Sequence, residues 1–313
     1  MFRAKTLVPA LAAALGVMTL AGQAAAQGLG QGQGRPNAQP NCQLAFEAGS
    51  DQWIIQFDPF ADSEAARQFD LAVVNRGPGP CTGEVAVDTA GDPFGLTLSG
   101  DTQRVPYVLV DERGSIDVTP RTGESARRPG GRPFNLGPGE RQILRFSFAI
   151  SSDVALGAGL YSQNVFIGLN HPNGTPQAQK PVTLGVQVAS TALMGLKGEF
   201  TRRGGLATID LGDLTQGGRA LNTSLYVLST GGYRVSVTSA NAGRLRQGVS
   251  EWFVPYGLAL GDRAMNLAQG DQLEVVSRRP RLDDYPLTIN VGSTAGRRAG
   301  DYSDVLTFTV SAI

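Results

Sequence analysis

Apolar and polar residues alternate along most of this chain in short runs. Trp53, Ile55 and Phe57 are spaced by polar or smaller neighbours, and the same period returns at Phe69, Leu71 and Val73 and again at Val85 and Val87. A period of two is that of a half-buried strand. Runs at 105–110 and 143–150 predict further strands, and Asn75-Arg-Gly-Pro-Gly-Pro80 predicts the turn between two of them. After residue 196 the plan restarts. Leu225 and Val227 lead through a Ser-Thr-Gly-Gly turn at 229–232 into Tyr233, Val235 and Val237. Gly and Pro are frequent and no long run has helical spacing, so helix is expected to be scarce. The segment 119–133, rich in Arg, Gly and Pro, is expected to be a long polar loop.

The end of the chain organises the rest. From Val305, the residues Val305, Thr307, Thr309 and Ser311 share one strand face, while Leu306, Phe308 and Val310 share the other. The phrase before this strand, Gly300-Asp-Tyr-Ser303, has an earlier relative in Gly159-Leu-Tyr-Ser162. That earlier strand turns through His171-Pro-Asn-Gly174 into another strand at 182–188, whereas the later one is followed by nothing. Two more phrases repeat in the same order: Val105-Pro-Tyr107 with Val254-Pro-Tyr256, and Leu136-Gly-Pro-Gly139 with Leu267-Ala-Gln-Gly270. Such repetition predicts a duplicated unit, hence an all-β chain of two tandem β-sandwiches, the second lacking its last strand. The units are placed at 42–190 and 191–313, with a boundary near 189–195.

Composition adds an address. Arg3 and Lys5, the apolar stretch 7–20 and Ala24-Ala25-Ala26 read as a signal peptide over 1–26, which implies export. Residues 27–41 are Gly, Gln and Pro with Leu29 the one large apolar side chain, and are expected to be a flexible leader. The chain has 27 basic and 27 acidic residues; without Arg3 and Lys5 the balance is 25 to 27, which argues against nucleic acid as a partner. In an exported chain, Cys42 and Cys81 are expected to form a disulfide. Two thiols and the single His171 are too few ligands for the competing reading, a metal site.

The run 225–245, then Val254-Pro-Tyr256, then Gly300-Asp-Tyr-Ser-Asp-Val-Leu-Thr-Phe-Thr-Val310 resembles the spore coat protein U domain, the subunit module of archaic chaperone-usher pili. The resemblance covers the whole second unit, and the first looks like a divergent copy. It implies immunoglobulin-like sandwiches that lack their final strand until a periplasmic pilus chaperone, and then a neighbouring pilus subunit, fills the gap. It further implies an outer-membrane usher as a partner, and a two-domain layout like that of tip adhesins, whose first domain binds a host or abiotic surface. The protein would pass through the periplasm to the cell surface. Val305, Leu306, Phe308 and Val310 are the expected strand-accepting edge. A leader without alternating large side chains makes a poor donor, so the chain is expected at a fibre's end. The alternative is a secreted surface or coat binding protein that never polymerises.

Candidate chemistry is sparse. Loops at the free end of the first unit would carry adhesion, and Phe60, Phe94 and Leu96, beside Pro or Gly in turns, are the candidates; packing against the sandwich end is the competing reading. Arg127, Arg128 and Arg132 fit either an anionic polysaccharide contact or a solvated loop. Asp283 and Asp284 are adjacent, so on a strand they face opposite ways and cannot act as a glycosidase pair. No cofactor motif, zinc spacing or catalytic triad is evident, and no enzymatic activity is expected.

Overall fold

The computed structural model describes residues 41–60, 65–121, 130–150 and 155–313. The expected signal peptide, the leader up to residue 40, Ala61, Asp62, Arg127 and Arg128 lie outside the described residues. Every regular element among the described residues is a strand. The first twelve are β1 (Leu44–Phe46), β2 (Gln52–Phe57), β3 (Ala66–Asn75), β4 (Cys81–Asp88), β5 (Leu96–Leu98), β6 (Arg104–Val105), β7 (Tyr107–Asp111), β8 (Ile116–Asp117), β9 (Gly130–Leu136), β10 (Arg141–Ile150), β11 (Gly159–Asn170) and β12 (Pro176–Val188). They form two sheets, ordered β1-β3-β10-β7-β8 and β2-β12-β11-β4-β9, with β5 and β6 attached beside β11.

Alternation sets the packing. On β10, Leu144, Phe146 and Phe148 are fully buried while Arg145 stays outside with Asp70. Trp53 is 1% exposed, stacked on Phe69 at 5.1 Å between ring centroids and tilted against Phe146 at 5.5 Å. The disulfide joins Cys42, just before β1, to Cys81 at the head of β4, with Cα atoms 5.0 Å apart, and so ties one sheet to the other. In the turn after β3, buried Asn75 donates from Nδ2 to the carbonyls of Gly79, Leu136 and Gly137 and accepts from the Gly77 N–H, bracing two turns with one side chain.

The segment from 119 to 133 is not loop throughout. Its last residues open β9, which pairs with β4 through Gly83↔Phe134 and Cys81↔Leu136. Pro133 fits because β9 is an edge strand, where a missing N–H costs no ladder bond.

Strands β13 (Ala192–Gly198), β14 (Thr201–Arg203), β15 (Leu206–Thr208), β16 (Gly217–Ser229), β17 (Tyr233–Ser239), β18 (Arg244–Arg246), β19 (Phe253–Leu260), β20 (Arg263–Met265), β21 (Asp271–Val275), β22 (Arg281–Val291) and β23 (Leu306–Ala312) build the second sandwich. Its sheets are β13-β16-β22-β19-β18, with β20 on β19, and β21-β17-β23; β14 and β15 pair as a separate hairpin. Its core is made of residues distinct from those of the first.

Two of the three repeated phrases occupy matching places. Tyr107 pairs with Ile150 at the end of β10, and Tyr256 with Val291 at the end of β22. Leu96 pairs with Val105 as Leu245 does with Val254, and Ser162 meets Thr97 as Ser303 meets Arg246. The third phrase does not correspond: Leu136 ends β9, whereas Leu267 precedes β21. The likeness there is one of turn chemistry, since Gly139 (φ 73°) and Gly270 (φ 79°) both take the left-handed conformation open to glycine.

The loop closed by the disulfide restricts the unfolded chain by about 4 kcal/mol in the entropy model. Replacing Cys42 and Cys81 by Ser is expected to lower the melting temperature followed at buried Trp53, and to leave the unfolding of the second sandwich where it was; two-transition calorimetry checks this.

Candidate functional site

The two sandwiches differ at one strand position. In the first, β12 runs antiparallel to β11 and parallel to β2, filling the place between them in one sheet. Val182, Leu184, Val186 and Val188 of β12 are at most 1% exposed, and Val165, Ile167 and Leu169 of β11 behind them are 0% exposed.

Among the described residues, no strand of the second sandwich stands at the place β12 fills in the first; β23 pairs only with β17 there, and β13 only with β16. Leu306, Phe308 and Val310 of β23, and Ala192, Met194 and Leu196 of β13, reach the second core but remain only half-buried. The two strands approach within 8 Å between Cα atoms without forming a ladder.

The backbone register makes these same residues the unspent ones. The Ala240 N–H donates to the Val305 carbonyl and the Ile313 N–H to that of Gly232. Bonded pairs alternate in an antiparallel ladder, so the odd-numbered residues of β23 spend their backbone groups on β17. Those of Leu306, Phe308, Val310 and Ala312 face the open side. Likewise Thr230 donates to Thr191 and Glu199 to Asn222, which turns the backbone groups of Ala192, Met194 and Leu196 outward. Each such residue therefore offers an incompletely covered side chain and an unpaired peptide group together, the features that recruit a further strand. Val305 does not share this arrangement: it precedes β23, is 50% exposed and lies on the outer face with Thr307.

Sequence reasoning put the boundary between the units near 189–195 and so missed β13 with its Ala192, Met194 and Leu196. The signal was present, since these three alternate with Leu193 and Gly195. Gly195 is also where Tyr226 lies across β13: a Cβ there would stand 2.4 Å from the Tyr226 hydroxyl.

A polar network fixes the entry to β23. Asp304 accepts from the Tyr256 hydroxyl at 2.7 Å, the Ser239 hydroxyl at 2.5 Å and the Asn241 N–H at 3.0 Å, joining β19, the end of β17 and the start of β23. Burial raises the Tyr256 phenol above its ordinary value, and the carboxylate that accepts its proton raises it further. At the other end of this sandwich, Tyr233 donates to Asp283 at 2.7 Å and lies 2.5 Å from the Tyr285 hydroxyl. Arg281 binds Asp283 through two 2.7 Å bonds, and these hold that carboxyl below its usual range. Asp284 turns to the opposite face and pairs with Lys197.

The candidate adhesive residues sit elsewhere than expected. Phe60 follows β2, whose Phe57 pairs with Val188, and Leu98 pairs with Tyr161 near the start of β11. Both loops thus lie at the end from which the chain passes to the second sandwich, not at the free end, because β2 and β12 run parallel toward that crossing. Leu96 is fully buried, so its side chain offers nothing at the surface. Phe94 is half-buried against the first core, 4.9 Å from the Tyr107 ring. Phe60 is half-buried, its N–H bound to Asp58. Arg132 is exposed on β9. His171 is buried in its turn beside Gln177. No group of three metal-ligating side chains occurs among the described residues.

No family model and no curated protein matches the chain. Among solved structures, it is similar to the chaperone and tip-subunit pre-assembly complex CsuC-CsuE from archaic chaperone-usher Csu pili of Acinetobacter baumannii, at 12% identity and TM-score 0.44, over 85% of this chain and 99% of that one. It is also similar to the CupB6 tip adhesin from Pseudomonas aeruginosa, at 11% identity and TM-score 0.39, over 86% and 94%. The CooA pilin subunit from enterotoxigenic Escherichia coli matches 48% of this chain and 99% of its own, at 15% identity and TM-score 0.33.

Tyr107 and Tyr256 give a matched test of the network. The position equivalent to Asp304 is Gln163, which bonds Gly95 and Pro93 and leaves the Tyr107 hydroxyl buried with no hydrogen-bond partner. Tyr256→Phe is expected to destabilise the second sandwich by about 1.5–3 kcal/mol, the range for a hydrogen bond to a charged group. Tyr107→Phe removes an unsatisfied polar atom and is expected to be neutral or stabilising; denaturant melts of both variants check the contrast.

Proposed function

We propose that this protein is a structural, adhesive subunit of a surface fibre of the chaperone-usher kind, standing at the fibre tip. In this reading residues 42–190 are an adhesin-like domain and 191–313 a pilin-like domain. The signal at 1–26 exports the chain, a periplasmic chaperone covers the edge between β13 and β23, and the chain is handed through an outer-membrane usher to a neighbouring subunit that supplies the lasting strand. The first domain then meets a host or abiotic surface.

One observation carries the reading. The place filled in the first sandwich by the chain's own β12 is filled by none of the described residues in the second, and the residues around it present half-covered apolar side chains and outward peptide groups. β12 buries four side chains at alternate positions. Each such side chain returns about 1.5–3 kcal/mol when buried, so a strand of similar pattern would be held firmly, with ladder bonds along β23 adding direction and register. The phrases resembling the spore coat protein U domain lie in this same second half and support the same assignment.

A peptide with the sequence of residues 181–188, the chain's own filler of the equivalent place, tests it. Added to the purified protein, it is expected to bind and to raise the melting temperature of the second sandwich with rising concentration. A peptide with Ser at the four buried positions, or a Phe308→Asp protein, is expected to show no such rise. A folded, monomeric wild-type protein that ignores the peptide contradicts the reading.

A further inference from the structure

At the end of the second sandwich where β22 passes to β23, two loops are fastened together. Arg246 and Ser303 exchange backbone bonds of 2.8 and 2.9 Å, and the Gln247 side chain donates to the Ala299 carbonyl at 2.9 Å. Between them stands Phe253, half-buried, with the guanidinium of Arg244 5.0 Å from its ring centroid and that of Arg297 4.9 Å away. Arg246 is held by bonds to the carbonyls of Ser250 and Val249. Trp252, adjoining Phe253, is 39% exposed, and Val249 at the loop tip is 97% exposed.

None of Arg244, Arg246, Arg297 and Arg298 forms an ion pair among the described residues, although Glu251 and Asp301 belong to the same two loops. Four guanidiniums against three carboxylates, Asp304 included, leave a local positive excess on a chain whose overall charge is balanced. Elsewhere on this surface exposed arginines do find carboxylates, as Arg145 finds Asp70 and Arg234 finds Glu274. A guanidinium stacked on an aromatic face keeps its in-plane N–H groups free for a planar anion, and the stacking fixes its orientation in advance. Arg244 spends only Nε, on the Asn241 carbonyl.

We infer that this end of the second sandwich is a binding site for anionic polysaccharide, in which Arg244 and Arg297, both set over the Phe253 ring, grip sulfate or carboxylate groups. The site is independent of the unfilled strand position, since it uses neither β13 nor the core-facing residues of β23.

Dextran sulfate, polygalacturonate and unmodified dextran are the probes, and titration calorimetry reads binding to the unaltered protein. Dextran sulfate or polygalacturonate is expected to bind, and dextran not to. Affinity is expected to fall by about tenfold or more when salt rises from about 0.05 M to about 0.5 M, as screening of exposed charges requires. Arg244→Ser with Arg297→Ser is expected to weaken binding by a similar factor with the melting temperature unchanged. Lack of binding to both polyanions overturns the inference without recourse to any variant. Equal binding by a folded double variant overturns it as well.

Discussion

A strand edge in water is tolerable, but a strand edge that also guards a hydrophobic core is not. The second sandwich combines the two along β23 and β13. Its inward side chains need a layer beyond themselves, and its outward peptide groups need partners. In the first sandwich both needs are met by a single strand, β12, bonded to β11 on one side and β2 on the other. Everything proposed for the protein's role follows from that difference, because an edge of this kind is completed by whichever chain offers alternating apolar residues in extended form.

The two halves otherwise share their construction closely. The ladders of β3, β10 and β7 are repeated by β16, β22 and β19, down to the pairing of each conserved-phrase tyrosine with the last residue of its neighbour. They differ in how they secure what surrounds the core. The first uses a disulfide between its sheets and the Asn75 side chain across its turns; the second uses carboxylates, Asp304 at one end and Asp283 at the other, each receiving phenolic hydrogen bonds. A sandwich short of one strand keeps its two sheets aligned by polar contacts at both ends, while the middle stays open.

Much of this was legible in the residues. A period of two is a local property, so β2, β3, β10, β12 and β23 could be read directly, as could the disulfide from two cysteines in a chain expected to be exported. What failed depended on neighbours rather than on pattern. β9 begins in a Gly-Gly-Arg-Pro run that reads as loop, and only its place on the edge beside β4 lets Pro133 stand in a strand. β13 carries the right alternation but is short and glycine-interrupted, so it passed for the boundary between the units. Phe60 and Phe94 were assigned to the free end because sequence does not say which end of a sheet a loop closes; the parallel pairing of β2 with β12 decides that. The paired stacking of Arg244 and Arg297 on Phe253 joins segments about fifty residues apart through the Arg246 and Ser303 bridge, which no local pattern discloses.

Residue-resolved hydrogen exchange along β23 tests the central claim most directly. If one flank of this strand is unpaired, the amides of Thr307, Thr309 and Ser311, which face β17, exchange slowly, and those of Leu306, Phe308 and Val310 exchange fast, while β11 in the first sandwich is protected at both parities. Uniform protection of β23 in the isolated protein would mean that the flank is already paired, and would contradict the account.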